Sequence, residues 1–458
     1  MLEKIIGRLG YLEKSLLLGF MAGILSCIFA LGFYTLLMVI VNLVGSLLGV
    51  FGFFTLNEIS DFSLIAVEYE NKLVLLGLIV LGGLLSGVLV YFIEPLAEGP
   101  GVDTAIMAYH AGAWFKPRVP FIKSIASALF IGLGCSGGVQ GPSIQIGAGA
   151  GSILAKLLKL NPSDCRLVIV AGMAGALSSI FRCPLGSALF AIEVLYRRDI
   201  EVNALFPALI ASITSYALSS LIFETGVSLP RFRADINSIF HPLSIVSYIV
   251  LGLVAGILAL AYIKIYLAVR RLFSAPSLNK SPSIKCYKTI IGALVTGLIG
   301  VYAPIALGTG SNFIYNTLSS LIKGETLSIQ LLGLDLVPSL LLLMFCKIIA
   351  TSFSIGSGGS GGLFAPSIFI GVILGLIYGE LVASHITPLP SYVYAYVGVA
   401  CLFGAASKTP IATSFMVAEM SNNYILVVPA LISSLIASTI TGNKTLYQAQ
   451  ITRRRKLT

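Results

Sequence analysis

Charged and catalytic side chains are scarce in this chain of 458 residues. Asp, Glu, Lys and Arg together make up 10% of it, against 57% hydrophobic residues, whereas a soluble domain carries roughly 25% charged residues. Only three His are present, far apart in the sequence, and the seven Cys form no CxxC pair. Neither a metal site nor a catalytic triad is therefore indicated. The composition argues against an enzyme and predicts no cofactor and no nucleic-acid partner.

The sequence is dominated by long apolar runs. A bilayer span needs about 20 apolar residues, and runs of that kind lie at 16–50, 72–94, 243–268, 328–350, 364–384 and 424–441. Shorter runs broken by Gly or Pro lie at 120–134, 142–157, 166–180, 185–196 and 410–420. Broken spans are tolerated only where protein or a watery cavity satisfies the freed backbone groups. The pattern predicts an all-α, polytopic membrane protein built as one bundle.

The net charge of +10 comes from basic residues that cluster at the ends of the apolar runs, near 4–14, 197–198, 270–288 and 453–456. Such clusters favour the cytoplasmic side, so we expect both termini to face the cytosol from a plasma or inner membrane. Residues 1–14 are amphipathic and too short to span, which predicts a surface helix. Residues 448–458 are expected to form a basic cytoplasmic tail.

Two stretches of ten residues are nearly the same, GVQGPSIQIG at 138–147 and GLFAPSIFIG at 362–371. Each is preceded by a Gly-x-Gly and followed by a Pro with a Glu nine residues later: 99–101, Pro184 and Glu193 for the first, and 308–310, Pro410 and Glu419 for the second. The same order in both parts predicts two equivalent transmembrane halves, 15–225 and 226–447, with a site between them.

Each of these motifs has the composition of a helix that begins inside a membrane. Gly leaves the backbone amides uncovered, and Pro142 or Pro366 suits a first helical turn. The N-terminus of a helix offers free N–H groups and the positive end of the dipole to an anion. No Lys or Arg lies within the motifs, and partial charges let an anion bind and leave again. One motif alone is more typical of close helix packing, but the matched pair predicts an anion site.

The order of GPGVD (99–103), GVQGP (138–142), GLFAP (362–366) and a late Tyr447 resembles the CLC family of chloride channels and chloride/proton antiporters. The resemblance covers nearly the whole chain. It implies two inverted halves of tilted and broken helices, and a homodimer with one anion pathway in each subunit. Chloride is the implied substrate, with nitrate and bromide as further candidates.

The resemblance also implies which groups hold the anion. Backbone amides of GLFAP and the Tyr447 hydroxyl would form a central site, and amides of GVQGP would form an outer site. Pro100 stands where the family usually has a Ser whose hydroxyl contacts the anion, and in this it resembles plant vacuolar members that prefer nitrate. The implied anion-binding residues are Pro100, Gly138, Val139, Gln140, Leu363, Phe364 and Tyr447.

Two departures from the family pattern bear on coupling to protons. The second motif usually reads GREGP, and its Glu acts as gate and proton carrier; here Gln140 occupies the gate position and Val139 replaces the Arg. Antiporters use a second Glu as proton relay, and Val194 occupies that position. Since neither residue can ionise, the sequence favours a passive chloride channel or an uncoupled chloride transporter.

Two other functions stay open. An antiporter could use Glu98 or Asp103 as a substitute carboxylate, although Asp103 is more typical of a helix cap. A sensor or scaffold could keep the fold without conducting. Glu193 and Glu419, which occupy matched places, are expected to cap or pair within their own halves.

Overall fold

The computed structural model describes residues 10–47, 72–112, 115–222, 229–233, 235–327, 329 and 331–454. Within this part of the chain there are seventeen α-helices and no β-strand. Their bounds are α1 Tyr11–Leu47, α2 Lys72–Val88, α3 Val102–Ala111, α4 Arg118–Gly132, α5 Gln140–Leu157, α6 Pro162–Phe181, α7 Pro184–Glu193, α8 Leu205–Ile222, α9 Ile236–Ile239, α10 Pro242–Phe273, α11 Pro282–Tyr302, α12 Ser311–Ile322, α13 Leu336–Gly356, α14 Phe364–Leu381, α15 Ser391–Ser407, α16 Pro410–Met420 and α17 Val427–Thr441.

Nine helical segments in the described ranges are long and apolar enough to cross a membrane. Most of them turn apolar side chains outward, as Leu73 and Leu221 do with exposures of 83% and 84%, and such surface suits lipid. Two segments, α6 and α14, are instead buried along almost their whole length. The chain is a multi-pass membrane protein whose central helices, α6 and α14 among them, are covered by its other helices.

Eight helices precede the short α9 and eight follow it, and the two sets pack alike. Helix α5 packs on α6 as α14 packs on α15, and α1 packs on α8 as α10 packs on α17. Contacts between the halves join equivalent helices, α2 with α11 and α7 with α16. The repeated motifs of the sequence thus correspond to a repeated arrangement of helices.

Equivalent helices run in opposite directions across the bundle. Helix α1 begins on the face that also carries the C-terminal segment, because Lys14 and Arg454 line one cavity. Its equivalent α10 ends on that face, where Arg270 binds Asp103 and the same carboxylate accepts the Ala449 N–H. The halves are therefore inverted repeats, as the resemblance implies.

The surface helix predicted for residues 1–14 stays a prediction, because residues 1–9 lie outside the described part; residues 11–14 form the first turn of α1. The expectation that Glu193 and Glu419 cap or pair within their own halves is wrong. Glu193 and Glu419 each cap a helix of the opposite half. Glu193 accepts the N–H groups of Ile411 and Ala412 at 3.3 and 2.7 Å, and Glu419 accepts those of Leu185 and Gly186 at 3.1 and 2.7 Å.

Candidate functional site

The two ten-residue motifs meet at the centre of the bundle. The Gly138 N–H donates to the Gly362 carbonyl, and the Gly362 N–H donates to the Gly138 carbonyl, both at 2.7 Å. A Cβ at Gly362 would clash with the Gly141 backbone, and one at Gly141 would clash with the Pro100 carbonyl. Glycine is thus required for three loops to approach one another. As a result, α5 and α14 begin within a few ångströms of each other.

Free backbone donors remain at these two helix starts. The first N–H groups of an α-helix have no acceptor within the helix, and α5 and α14 begin at Gln140 and Phe364 with Val139 and Leu363 as N-caps. The Gly138 amide, in contrast, is occupied by the Gly362 carbonyl. The outer site that the sequence predicts would therefore depend on the amides of Val139 and Gln140. The amides of Leu363 and Phe364 remain candidates for the central site.

Four buried polar side chains near these helices have no hydrogen-bond partner in the described part of the chain. They are Gln140, with both its amide oxygen and its nitrogen, and the hydroxyls of Tyr262, Tyr266 and Tyr447. The three tyrosine hydroxyls lie close enough to interact electrostatically. Native proteins leave few buried polar groups unsatisfied, and an ion or water usually accounts for those that remain. The unpartnered groups of these side chains mark the region around the two helix starts as the candidate site.

The first Gly-x-Gly motif opens onto a cavity of about 460 Å³, here called the basic cavity. Its lining includes Gly99–Gly101, Glu98, Asp103, Arg270 and Lys288. Pro100 thus lies on the wall of this cavity. The cavity lies on the same face as the C-terminal segment, because Asp103 contacts both Arg270 and the Ala449 N–H.

Asp103 does not cap a helix, contrary to the expectation from sequence. Helix α3 begins after Gly101, which has a left-handed backbone, and no side chain caps it. The Asp103 carboxylate instead binds Arg270 at 3.1 Å and the Ala449 N–H at 3.0 Å. Burial raises the pKa of Asp103, although these two contacts oppose the shift. Asp103 therefore ties α3 and α10 to the segment that carries Tyr447.

A second, much smaller cavity lies on the opposite side of the motifs, and we call it the apolar cavity. Its volume of about 20 Å³ corresponds to roughly one water molecule. Helix α6 spans about 30 Å, from Asp164 beside Lys14 to Phe181 at this cavity. The two cavities therefore face opposite sides of the membrane. The apolar cavity is lined by Val139, Phe181, Thr309, Ser311, Ile368 and Met420, among others.

The position that the family resemblance assigns to a proton relay carries no ionisable group, since it is Val194. Val194 is buried at the end of α7, and its carbonyl accepts a hydrogen bond from Gln450 Nε2 at 2.9 Å. The segment that follows Tyr447 is thereby fixed to the end of α7. Val194 thus provides an anchoring contact for this segment.

Sequence reasoning missed two sets of residues at the site. Tyr262 and Tyr266 lie one turn apart on α10, with Arg270 a further turn on, and this i, i+4 spacing could have revealed a polar stripe in an apolar helix. The others are Lys123 and Lys347, both fully buried. Buried Lys is rare unless paired, so two Lys inside apolar runs were a usable signal.

Comparison with known proteins agrees with the fold. Residues 82–442 match the family model described as voltage gated chloride channel. An uncharacterised protein of Methanocaldococcus jannaschii is 30% identical over 80% of this chain and 85% of its own. A Shigella flexneri protein named voltage-gated ClC-type chloride channel ClcB is 28% identical, over 81% and 84%. The crystal structure of a slow cyanobacterial Cl⁻/H⁺ antiporter has a TM-score of 0.76 at 20% identity, over 94% and 96% of the two chains, a likeness that shows the fold.

Proposed function

The chain belongs to the voltage gated chloride channel family, and from that premise we propose that it conducts small anions passively, as a channel or as an uncoupled transporter. The observation that carries the proposal is Gln140, a buried neutral amide without a partner at the start of α5. Proton transport through a membrane interior needs a group that takes up and releases a proton. Neither Gln140 nor Val194 can do so.

In this proposal the anion passes between the basic cavity and the apolar cavity. The amides of Leu363 and Phe364 hold it at the centre, and the Tyr447 hydroxyl completes that site. Partial charges at helix starts attract the anion without trapping it. The basic cavity is the cytoplasmic entrance, since Arg270 and Lys288 lie there and basic residues favour the cytosolic side. The start of α1 and the segment after Tyr447, which share that face, are then cytoplasmic, and the protein functions as a homodimer with one pathway per subunit.

A chloride/proton antiporter that uses a substitute carboxylate is the second candidate. It is favoured by Glu98 and Asp103, which both line the basic cavity. Against it, Asp103 is held by Arg270 and the Ala449 N–H. Glu98 accepts from the Tyr91 hydroxyl at 3.0 Å, lies 3.8 Å from Lys288, and has a side chain that is 42% exposed. Both carboxylates are on one side of the narrow centre, so neither offers a proton acceptor on the other side.

A paired flux measurement in liposomes distinguishes these functions. Purified protein is expected to release chloride down its gradient, while a pH electrode or dye records no stoichiometric proton movement. An anion gradient that drives protons uphill would establish the antiporter and direct attention to Glu98 and Asp103. Absence of any anion flux would favour a protein that keeps the fold without conducting.

Bromide should mark the central site in crystals of the protein. Because bromide resembles chloride and scatters anomalously, we expect an anomalous peak beside the amides of Leu363 and Phe364 and the Tyr447 hydroxyl. Tyr447→Phe removes only the hydroxyl and should weaken the peak without moving it. Peaks confined to surface Arg residues would contradict the assignment.

Pro100 should make the protein a poor discriminator between chloride and nitrate. Proline offers neither a hydroxyl nor an N–H, and a site without a directed donor discriminates weakly by hydrogen bonding. We expect Pro100→Ser to raise the preference for chloride about tenfold, the effect of one charge-assisted hydrogen bond. Pro100→Ala, which adds no donor, is the matched control. An unchanged permeability ratio in Pro100→Ser would remove this residue from the selectivity argument.

A further inference from the structure

The two Gly-x-Gly loops are held in the same way by two buried lysines. Lys123 Nζ donates to the carbonyls of Ala97 and Gly99 at 3.0 and 2.7 Å. In the other half, Lys347 Nζ donates to the carbonyls of Ala306, Leu307 and Gly308 at 3.0, 3.3 and 2.9 Å. The loops are structural equivalents, and their middle residues occupy equivalent places.

These middle residues face different cavities and differ in chemistry. Pro100 lines the basic cavity and has no donor, whereas Thr309 lines the apolar cavity and has a hydroxyl. The hydrogen-bond donor that is missing at one mouth of the pathway is therefore present at the equivalent position of the other mouth.

The Thr309 hydroxyl is oriented by its neighbour so that its proton is available. Its oxygen accepts the Ser311 N–H at 3.3 Å and the Ser311 hydroxyl at 3.0 Å. In the described part of the chain the Thr309 proton has no acceptor. Thr309 and Ser311 are also the only polar side chains among the described residues that line the apolar cavity. A donor is thus fixed in an otherwise apolar constriction.

We propose that Thr309 is an anion ligand at the entrance opposite the basic cavity and helps to select the anion there. The inference rests on the proposed anion conduction. The constriction has room for roughly one water molecule, so an anion must lose much of its hydration beside Val139. A directed hydroxyl replaces part of that hydration, and it does so more effectively for chloride, with its concentrated charge, than for a large diffuse anion such as thiocyanate.

Three variants test the role of the hydroxyl. Thr309→Val removes it at nearly constant volume, Thr309→Ser keeps it, and Thr317→Val makes the same chemical change at a buried site on α12. We expect Thr309→Val to raise the half-saturating chloride concentration for flux about tenfold and to lower the chloride-to-thiocyanate preference by a similar factor. Thr309→Ser and Thr317→Val should stay within about twofold of the wild type, a change of roughly 0.4 kcal/mol.

Bromide density provides a readout that does not depend on transport. A wild-type anomalous peak in contact with the Thr309 hydroxyl, lost in Thr309→Val, supports the inference even if liposome flux is absent and the proposed function fails. Unaltered half-saturation and selectivity in Thr309→Val, in a protein whose wild type conducts, would overturn it and leave the proposed function standing. If Thr309→Val does not fold, the wild-type crystals decide, and absence of bromide at Thr309 overturns the inference.

Discussion

Replacing Gln140 with Glu is expected to lower anion flux at least tenfold near neutral pH and to restore it on acidification. The introduced carboxylate would lie in the anion pathway at the start of α5. Two like charges about 4 Å apart repel by roughly 4 kcal/mol at an effective dielectric constant of 20, and a third of that energy already corresponds to about tenfold in occupancy. The neutral, protonated form has nearly the shape of Gln140 and should conduct.

The direction of the pH effect follows because the charged form of the introduced Glu blocks the anion pathway. Flux should fall as pH rises through about 4 to 8, the range in which a partly buried carboxyl titrates, whereas wild-type flux should stay nearly constant. Asn203→Asp, at an exposed position just before α8, is a matched control that makes the same change from amide to carboxylate away from α5. If the chloride flux of the Gln140→Glu variant does not change with pH, residue 140 does not lie in the anion pathway.

Replacing Lys347 with Met is expected to reduce the free energy of unfolding by about 3–5 kcal/mol, because three buried carbonyls lose their donor at once. Met has a similar length and fits apolar surroundings. Lys347 also lies 5.1 Å from the centre of the Phe369 ring, so a cation–π contact is lost as well. Lys123→Met removes the donor from two carbonyls and should cost less. Unfolding in detergent, followed by circular dichroism or thermal melting, provides the measurement.

Lys264→Met is the matched control, since Lys264 is exposed on α10 and its removal leaves no buried acceptor. The expected order of destabilisation is Lys347, then Lys123, then Lys264 with almost none. Equal stability of the Lys347 and Lys264 variants would show that the loop 306–308 does not depend on its ammonium group.

Membership of the family and the repeat of helices could be predicted from sequence because both depend on local patterns, whereas the inversion of the halves was implied only by the family resemblance. Apolar runs and repeated Gly-Pro motifs can be read from neighbouring residues alone, without knowledge of how distant segments pack. Helix α6 begins at Pro162, four residues before the apolar run that starts at 166, because Asn161 accepts the Asp164 N–H and caps its first turn. At α13 the apolar run suggested a start near residue 328, but the helix begins at Leu336. Leu332, with a left-handed backbone, and Gly333 instead form a turn before it.

Contacts between distant segments could not be predicted, because they depend on how the halves meet. A carboxylate nine residues after a Pro is compatible with capping within its own half, and only the packing of α7 against α16 brings Glu193 to the other half. Asp103 has the position of a helix cap, but the approach of Arg270 and the Ala449 N–H gives it a different role. In both cases tertiary contacts outweigh a local preference.

The exchange of hydrogen bonds between the halves also bears on how the chain arose. The backbones of Gly138 and Gly362 each donate a hydrogen bond to the other. Glu193 caps the helix that carries Glu419, and Glu419 caps the helix that carries Glu193. This reciprocity is the mark of an isologous contact between two identical subunits. An ancestral gene that encoded a single half could satisfy every one of these bonds by assembling with a second copy inserted in the opposite orientation. Gene duplication and fusion would then join a complete interface, after which Pro100 and Thr309 were free to diverge.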